Sequence, residues 1–159
     1  MNILSLRLCS LAVLAAALPA TGLMAQAAES VPPVQAAVEG VWDSTVTLRS
    51  CQNPAIVIAQ FRALNQFDRH GSLVATSQIA QPPSLGHWEW LGGRSFRAQF
   101  RFQRFGAGGV FEGTTQVTRE IQLAADGNSF TSTVATELFD LTNTLFASGC
   151  GTESATRVY

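Results

Sequence analysis

The stretch from Ser84 to Phe102 reads SLGHWEWLGGRSFRAQFRF and gathers a His, two Trp, a Glu, three Arg and three Phe. Residues of these types build acid–base sites and anion clamps. His87 lies in this stretch and His70 lies upstream of it. A nucleophilic triad needs a Ser or Cys within hydrogen-bond reach of a His, and no spacing here sets either His beside one. The Gly-x-Ser-x-Gly elbow is absent. No Cys/His cluster has zinc spacing and no Asp-rich calcium loop occurs. No catalytic residue, metal or cofactor is therefore assigned. A haem would need an axial ligand, for which His87 is the only fair candidate.

Alternation explains the dense stretch better than catalysis does. Phe96, Ala98, Phe100 and Phe102 share one parity, while Arg97, Gln99, Arg101 and Gln103 share the other. Period-2 alternation sends one set to a core and the other to water. Just upstream, Trp88 and Trp90 fall on one face, and His87 and Glu89 on the opposite one. A hairpin would bring Glu89 beside an outward Arg.

The same reading divides the chain from Gly40 onward into eight strands with turn signals between them. They are expected at Val41 to Arg49, Ile56 to Asp68, Ser72 to Ala80, His87 to Leu91, Ser95 to Phe105, Val110 to Leu123, Ser129 to Phe139 and Thr144 to Tyr159. No segment has a convincing helical period. Short connections imply successive antiparallel hairpins, an up-and-down meander. The class is all-β.

The N-terminus reads as an export signal spanning residues 1–27. Arg7 precedes an apolar run from Leu8 to Leu18, and Ala25-Gln26-Ala27 supplies a small-x-small cleavage site. The run is too short to span a bilayer as a helix, so no stable membrane insertion is expected after cleavage. A retained anchor is the alternative. Residues 28–39, with two prolines and no alternation, read as a flexible lead-in to a barrel domain over residues 40–159. Every basic side chain is Arg. Eleven acids against ten bases give a formal charge of −1, which leaves no basic field to attract nucleic acid.

Cleavage removes Cys9 and leaves Cys51 and Cys150. In an exported chain, periplasmic or secreted, two cysteines most simply form one disulfide; two separate buried thiols are the alternative. Cys51 follows the first strand and Cys150 lies early in the eighth. Bridging them needs Cα atoms within about 7 Å, which a sheet closed on itself provides, while also removing its edges. A two-sheet sandwich with the same bridge is the other solution.

Gly40-Val41-Trp42 opens this eight-stranded meander, and Arg157 stands near its end. That pattern resembles the lipocalins and their calycin-type relatives. The resemblance implies an antiparallel barrel in which Trp42 closes the floor under Arg157. The chain also looks like small exported bacterial proteins of unassigned role that share a Gly-x-Trp opening and a late Gly-Cys. An eight-stranded barrel is just wide enough to be filled or to hold one small ligand. The second strand should turn Val57, Ala59, Phe61, Ala63, Asn65 and Phe67 inward, and the sixth Phe111, Gly113, Thr115, Val117, Arg119, Ile121 and Leu123. Phe61, Phe100 and Phe111 are thus expected to line one cavity. Arg119 either fixes a ligand carboxylate or phosphate within it or turns outward at a bulge. The expected function is non-catalytic binding of a small hydrophobic or amphipathic ligand. A cyclase-type barrel enzyme and a filled structural or partner-binding barrel are the alternatives.

Overall fold

A computed structural model describes residues 36–80 and 82–159. The proposed signal, and the lead-in up to residue 35, lie outside the described residues. Eight strands follow in order: β1 (Gly40–Arg49), β2 (Val57–Phe67), β3 (Ser72–Ser77), β4 (Ser84–Gly92), β5 (Ser95–Phe105), β6 (Phe111–Leu123), β7 (Ser129–Phe139) and β8 (Leu145–Arg157). Each pairs antiparallel with the next, and β8 returns to β1 to close the barrel. Two single 3-10 turns, Ala36–Val38 and Ala107–Gly109, are the helical pieces among the described residues.

Closure satisfies the backbone of both terminal strands. β1 and β8 pair from Trp42 opposite Arg157 to Arg49 opposite Cys150. Cys51 and Cys150 are bonded there, their Cα atoms 5.2 Å apart across 99 positions of sequence. The bridge therefore pins the upper end of the β1–β8 seam. We call this end the mouth and the opposite end the floor.

The floor is filled. Trp42, Phe67, Trp88, Phe96, Phe130, Leu73, Ile121 and Leu123 are all buried there. Trp42 and Phe130 stand 4.9 Å apart at their ring centres, and Phe67 meets both Trp88 and Phe130 edge-on at 6.3 Å. Tilted and edge-to-face contacts of this kind add to area burial. Val38, the last residue of the first 3-10 turn, is fully buried and accepts a hydrogen bond from the Trp42 indole at 2.9 Å. The end of the expected lead-in is thus built into the floor.

Outward side chains of β4, β5 and β6 pair as alternation requires. Arg97 meets Glu120 at 2.9 Å and Glu89 at 3.3 Å. Four local departures from the expected pattern stand out. Trp90 is 38% exposed, because the register shifts between Trp90 and Gly92 and its indole donates to Gly93 O in the turn. β3 ends at Ser77 and pairs with only Ala63–Phe67 of β2, so the wall is low on this side. Val57 and Ala59 of the upper β2 are exposed, not interior. At the top of β6, Arg104 lies opposite Gly113 and Phe105 opposite Phe111. Glu112 is the extra residue, and it reverses the parity of Phe111.

Candidate functional site

Above the floor, five strands send polar side chains inward where the pattern calls for apolar ones. They form one layer across the barrel. Asn65 of β2 donates from Nδ2 to Ser44 Oγ at 2.7 Å and to Glu153 Oε1 at 3.1 Å. Its Oδ1 accepts from Arg119 Nη1 at 3.0 Å. The same Nη1 stands 3.1 Å from Glu153 Oε1. Ser132 Oγ donates to Glu153 Oε2 at 2.8 Å. Both charged side chains are almost wholly withdrawn from water, with 4% exposure for Arg119 and none for Glu153.

A buried ion pair holds only if its remaining hydrogen-bonding groups are also satisfied. Glu153 meets that requirement through Asn65 and Ser132. Arg119 does not, for its Nε has no hydrogen-bond partner among the described residues. Its guanidinium also lies over the Phe100 ring at 4.5 Å, a geometry that favours a cation. Burial pushes the Arg119 pKa below its usual value, and the charge of Glu153 opposes that shift.

Between this layer and the mouth lies a cavity of about 190 Å³. Val46, Phe61, Phe100, Val117, Val134 and Leu138 supply apolar walls, and Arg119 contributes to the lining with Thr115, Thr136 and Ser84. The space exists because small side chains stand at the same level. Ala63 and Ala75 line one side. On β8, Gly149 and Gly151 stand opposite Thr136 and Val134, and a Cβ there would meet Thr136 Oγ1 at 2.5 Å and Thr47 O at 2.8 Å. The cavity extends toward the low β3 wall, where Ile79 joins the lining and is 60% exposed.

Of the residues singled out in sequence, the fold brings Phe61, Phe100 and Arg119 together around the cavity. Phe111 stands apart. The extra residue at Glu112 turns it to the rim, where it is 41% exposed and its ring lies 5.8 Å from that of Phe105. Arg119 points inward and not out at a bulge. Trp42 and Arg157 meet at the floor, with the guanidinium 4.2 Å from the indole. His87 and His70 both face solvent, so His87 is not placed to ligate a group inside the barrel. Among the described residues, no group of three or more His, Cys, Asp and Glu is placed to hold a metal ion.

Glu153, Ser44 and Ser132 were not singled out. The signal for Glu153 was available. It is a lone acid on the inward parity of β8, as Arg119 is a lone base on that of β6, and a buried charge demands an opposite partner. Chemically, the Glu153 carboxylate is fully engaged and lies below the cavity lining. It fixes Arg119 in place. No family model, curated protein or solved structure matches this chain. The closed eight-stranded antiparallel barrel is of calycin-like form.

Proposed function

We propose that the protein is an exported, non-catalytic binding protein that holds one small hydrophobic or amphipathic molecule in the upper half of its barrel. The observation that carries this reading is the cavity of about 190 Å³ between apolar walls, with an incompletely paired Arg119 at its base. An apolar cavity of about 150 Å³ is large enough to admit benzene. Pockets for small molecules combine such walls with few, well-placed polar groups. The disulfide suits an oxidising compartment, and residues 1–27 have the pattern of an export signal.

The test is native mass spectrometry of the protein purified from its own compartment, joined to ethylbenzene binding followed by NMR. A co-purifying small molecule or saturable ethylbenzene binding is expected. Ala75→Phe, which fills the cavity from the β3 side, should abolish both. Absence of both in the wild-type protein would overturn the reading in favour of a filled structural barrel.

A further inference from the structure

The ion pair beneath the cavity restricts what can enter it. Arg119 spends Nη1 on Asn65 and Glu153. Its Nε, enclosed in protein, donates to nothing among the described residues. Having no accessible surface, the Nε is not itself open to an occupant, which meets Arg119 only where the side chain lines the cavity. The charge of Arg119 is already met. Glu153 lies 3.1 Å away, and its other oxygen is held by Ser132.

We propose, on the basis of the binding reading above, that the occupant is an uncharged molecule with a small apolar body and one hydrogen-bond-accepting oxygen, a ketone or ester carbonyl, directed at Arg119. Such an oxygen can accept from the guanidinium where Arg119 lines the cavity, and it leaves the polar layer neutral. A carboxylate would add a second negative charge beside Glu153, buried and without a cation of its own, which is the costly case for interior charge. The hydroxyls of Thr115 and Thr136 line the same space and can turn to donate to the same oxygen. The cavity volume limits the body to about one ring or a short chain.

Three probes of one shape separate these chemistries: ethylbenzene, acetophenone and benzoate, titrated calorimetrically at neutral pH, where benzoate is ionised. Acetophenone should bind at least about tenfold more tightly than either of the others, the scale of one hydrogen bond to a charged donor. In Glu153→Gln the guanidinium loses its counter-charge, and benzoate should become the tightest of the three. In the double variant Arg119→Met/Glu153→Gln neither charge remains, and the preference for acetophenone over ethylbenzene should shrink to about twofold or less. Should Glu153→Gln not fold, the wild-type ranking and the double variant still decide. Tighter binding of benzoate than of acetophenone by the wild-type protein would overturn the proposal, as would a ketone preference that survives in the double variant. Ethylbenzene binding without any ketone preference defeats this inference alone, whereas failure of all three probes to bind defeats the cavity reading beneath it.

Discussion

Trp42 ties together segments that are far apart in the chain. Its indole N–H reaches Val38 O, its ring packs on Phe130, and the Arg157 guanidinium covers it at 4.2 Å. Arg157 in turn donates to the carbonyls of Ala37 and Glu39, and to Gly127 in the turn between β6 and β7. The tight fit also explains Gly40. Its φ is +123°, and a Cβ there would stand 2.8 Å from both Arg157 Nη1 and Tyr159 O. Since Trp42 is wholly buried, Trp42→Ala should cost about 3–5 kcal/mol, as for other large-to-small core changes. Chemical denaturation would show this as a lower midpoint, and an unchanged midpoint would mean that the floor does not depend on the indole. The Arg119–Glu153 pair was only half legible. Arg119 interrupts the clear run Val117, Ile121, Leu123 and so draws notice. Glu153 follows Gly149 and Gly151, whose missing side chains blur the parity of β8.

Strand alternation made the elements legible wherever a strand is paired on both sides and regular. β5 and the lower part of β6 fit the expected faces residue by residue, from Ser95 opposite Gln122 to Arg104 opposite Gly113. What failed to show was every place where the backbone departs from the ladder. Phe111 follows Gly109 and precedes Gly113, a position with φ +120° where a Cβ would sit 2.1 Å from Phe139 O. Backbone contacts, and not composition, fix the bulge there. β4 begins at Ser84 and not His87 because Ala75 pairs with Ser84 and Val74 with Leu85, partners that no local pattern reveals.

At the same scale, the disulfide ties the β1–β2 connection to β8. In the chain-entropy model a loop of about 100 residues is worth up to ~4.7 kcal/mol. Cys51→Ser/Cys150→Ser should lower stability by up to that amount while the floor aromatics keep their near-ultraviolet signature. Equal stability of the two forms would show that the barrel closes without its bridge. The turn between β7 and β8 offers a pH test. Asp140 accepts from the backbone N–H groups of Thr144 and Thr142 and from the Thr142 hydroxyl. The Thr144 amide leads in holding this exposed carboxyl below its ordinary value of 3.8. A lowered carboxylate pKa favours the folded turn above the ordinary value, and that contribution disappears as pH falls through the lowered one. Protection of the Thr144 amide, its exchange rate taken relative to the intrinsic rate at each pH, should therefore fall at acid pH in the wild type. In Asp140→Asn it should lose that pH dependence. An Asp140 titration at its ordinary value would refute the assignment.

Taken as a whole, the barrel is built in two unlike halves. Below the polar layer, aromatic side chains interlock around Trp42, Phe67 and Phe130. Above it, apolar walls face a cavity, and the loops at the mouth leave large apolar side chains in water. Ile58 is 66% exposed, Ile79 60%, Val110 64%, Leu141 68% and Phe146 56%. They come from all four connections or strand ends at that end of the barrel. Dense packing resists local opening, whereas sparse contacts around a void permit it. Amide hydrogen exchange should thus be graded along each strand. Amides of β6 near Ile121 and Leu123 should open only with global unfolding, and those near Thr115 should open through smaller fluctuations. A ligand that binds only the folded state adds stability by mass action, about 2.7 kcal/mol at a hundred times its Kd. Ethylbenzene should therefore slow exchange at Thr115, Val117 and Thr136 around the cavity. At floor amides it should do so only as far as global stability rises. The comparison is internal to one spectrum, so a global shift in stability cannot imitate it. Uniform protection along β6 in the free protein, or equal slowing at both ends on adding ethylbenzene, would mean that the two halves open as one.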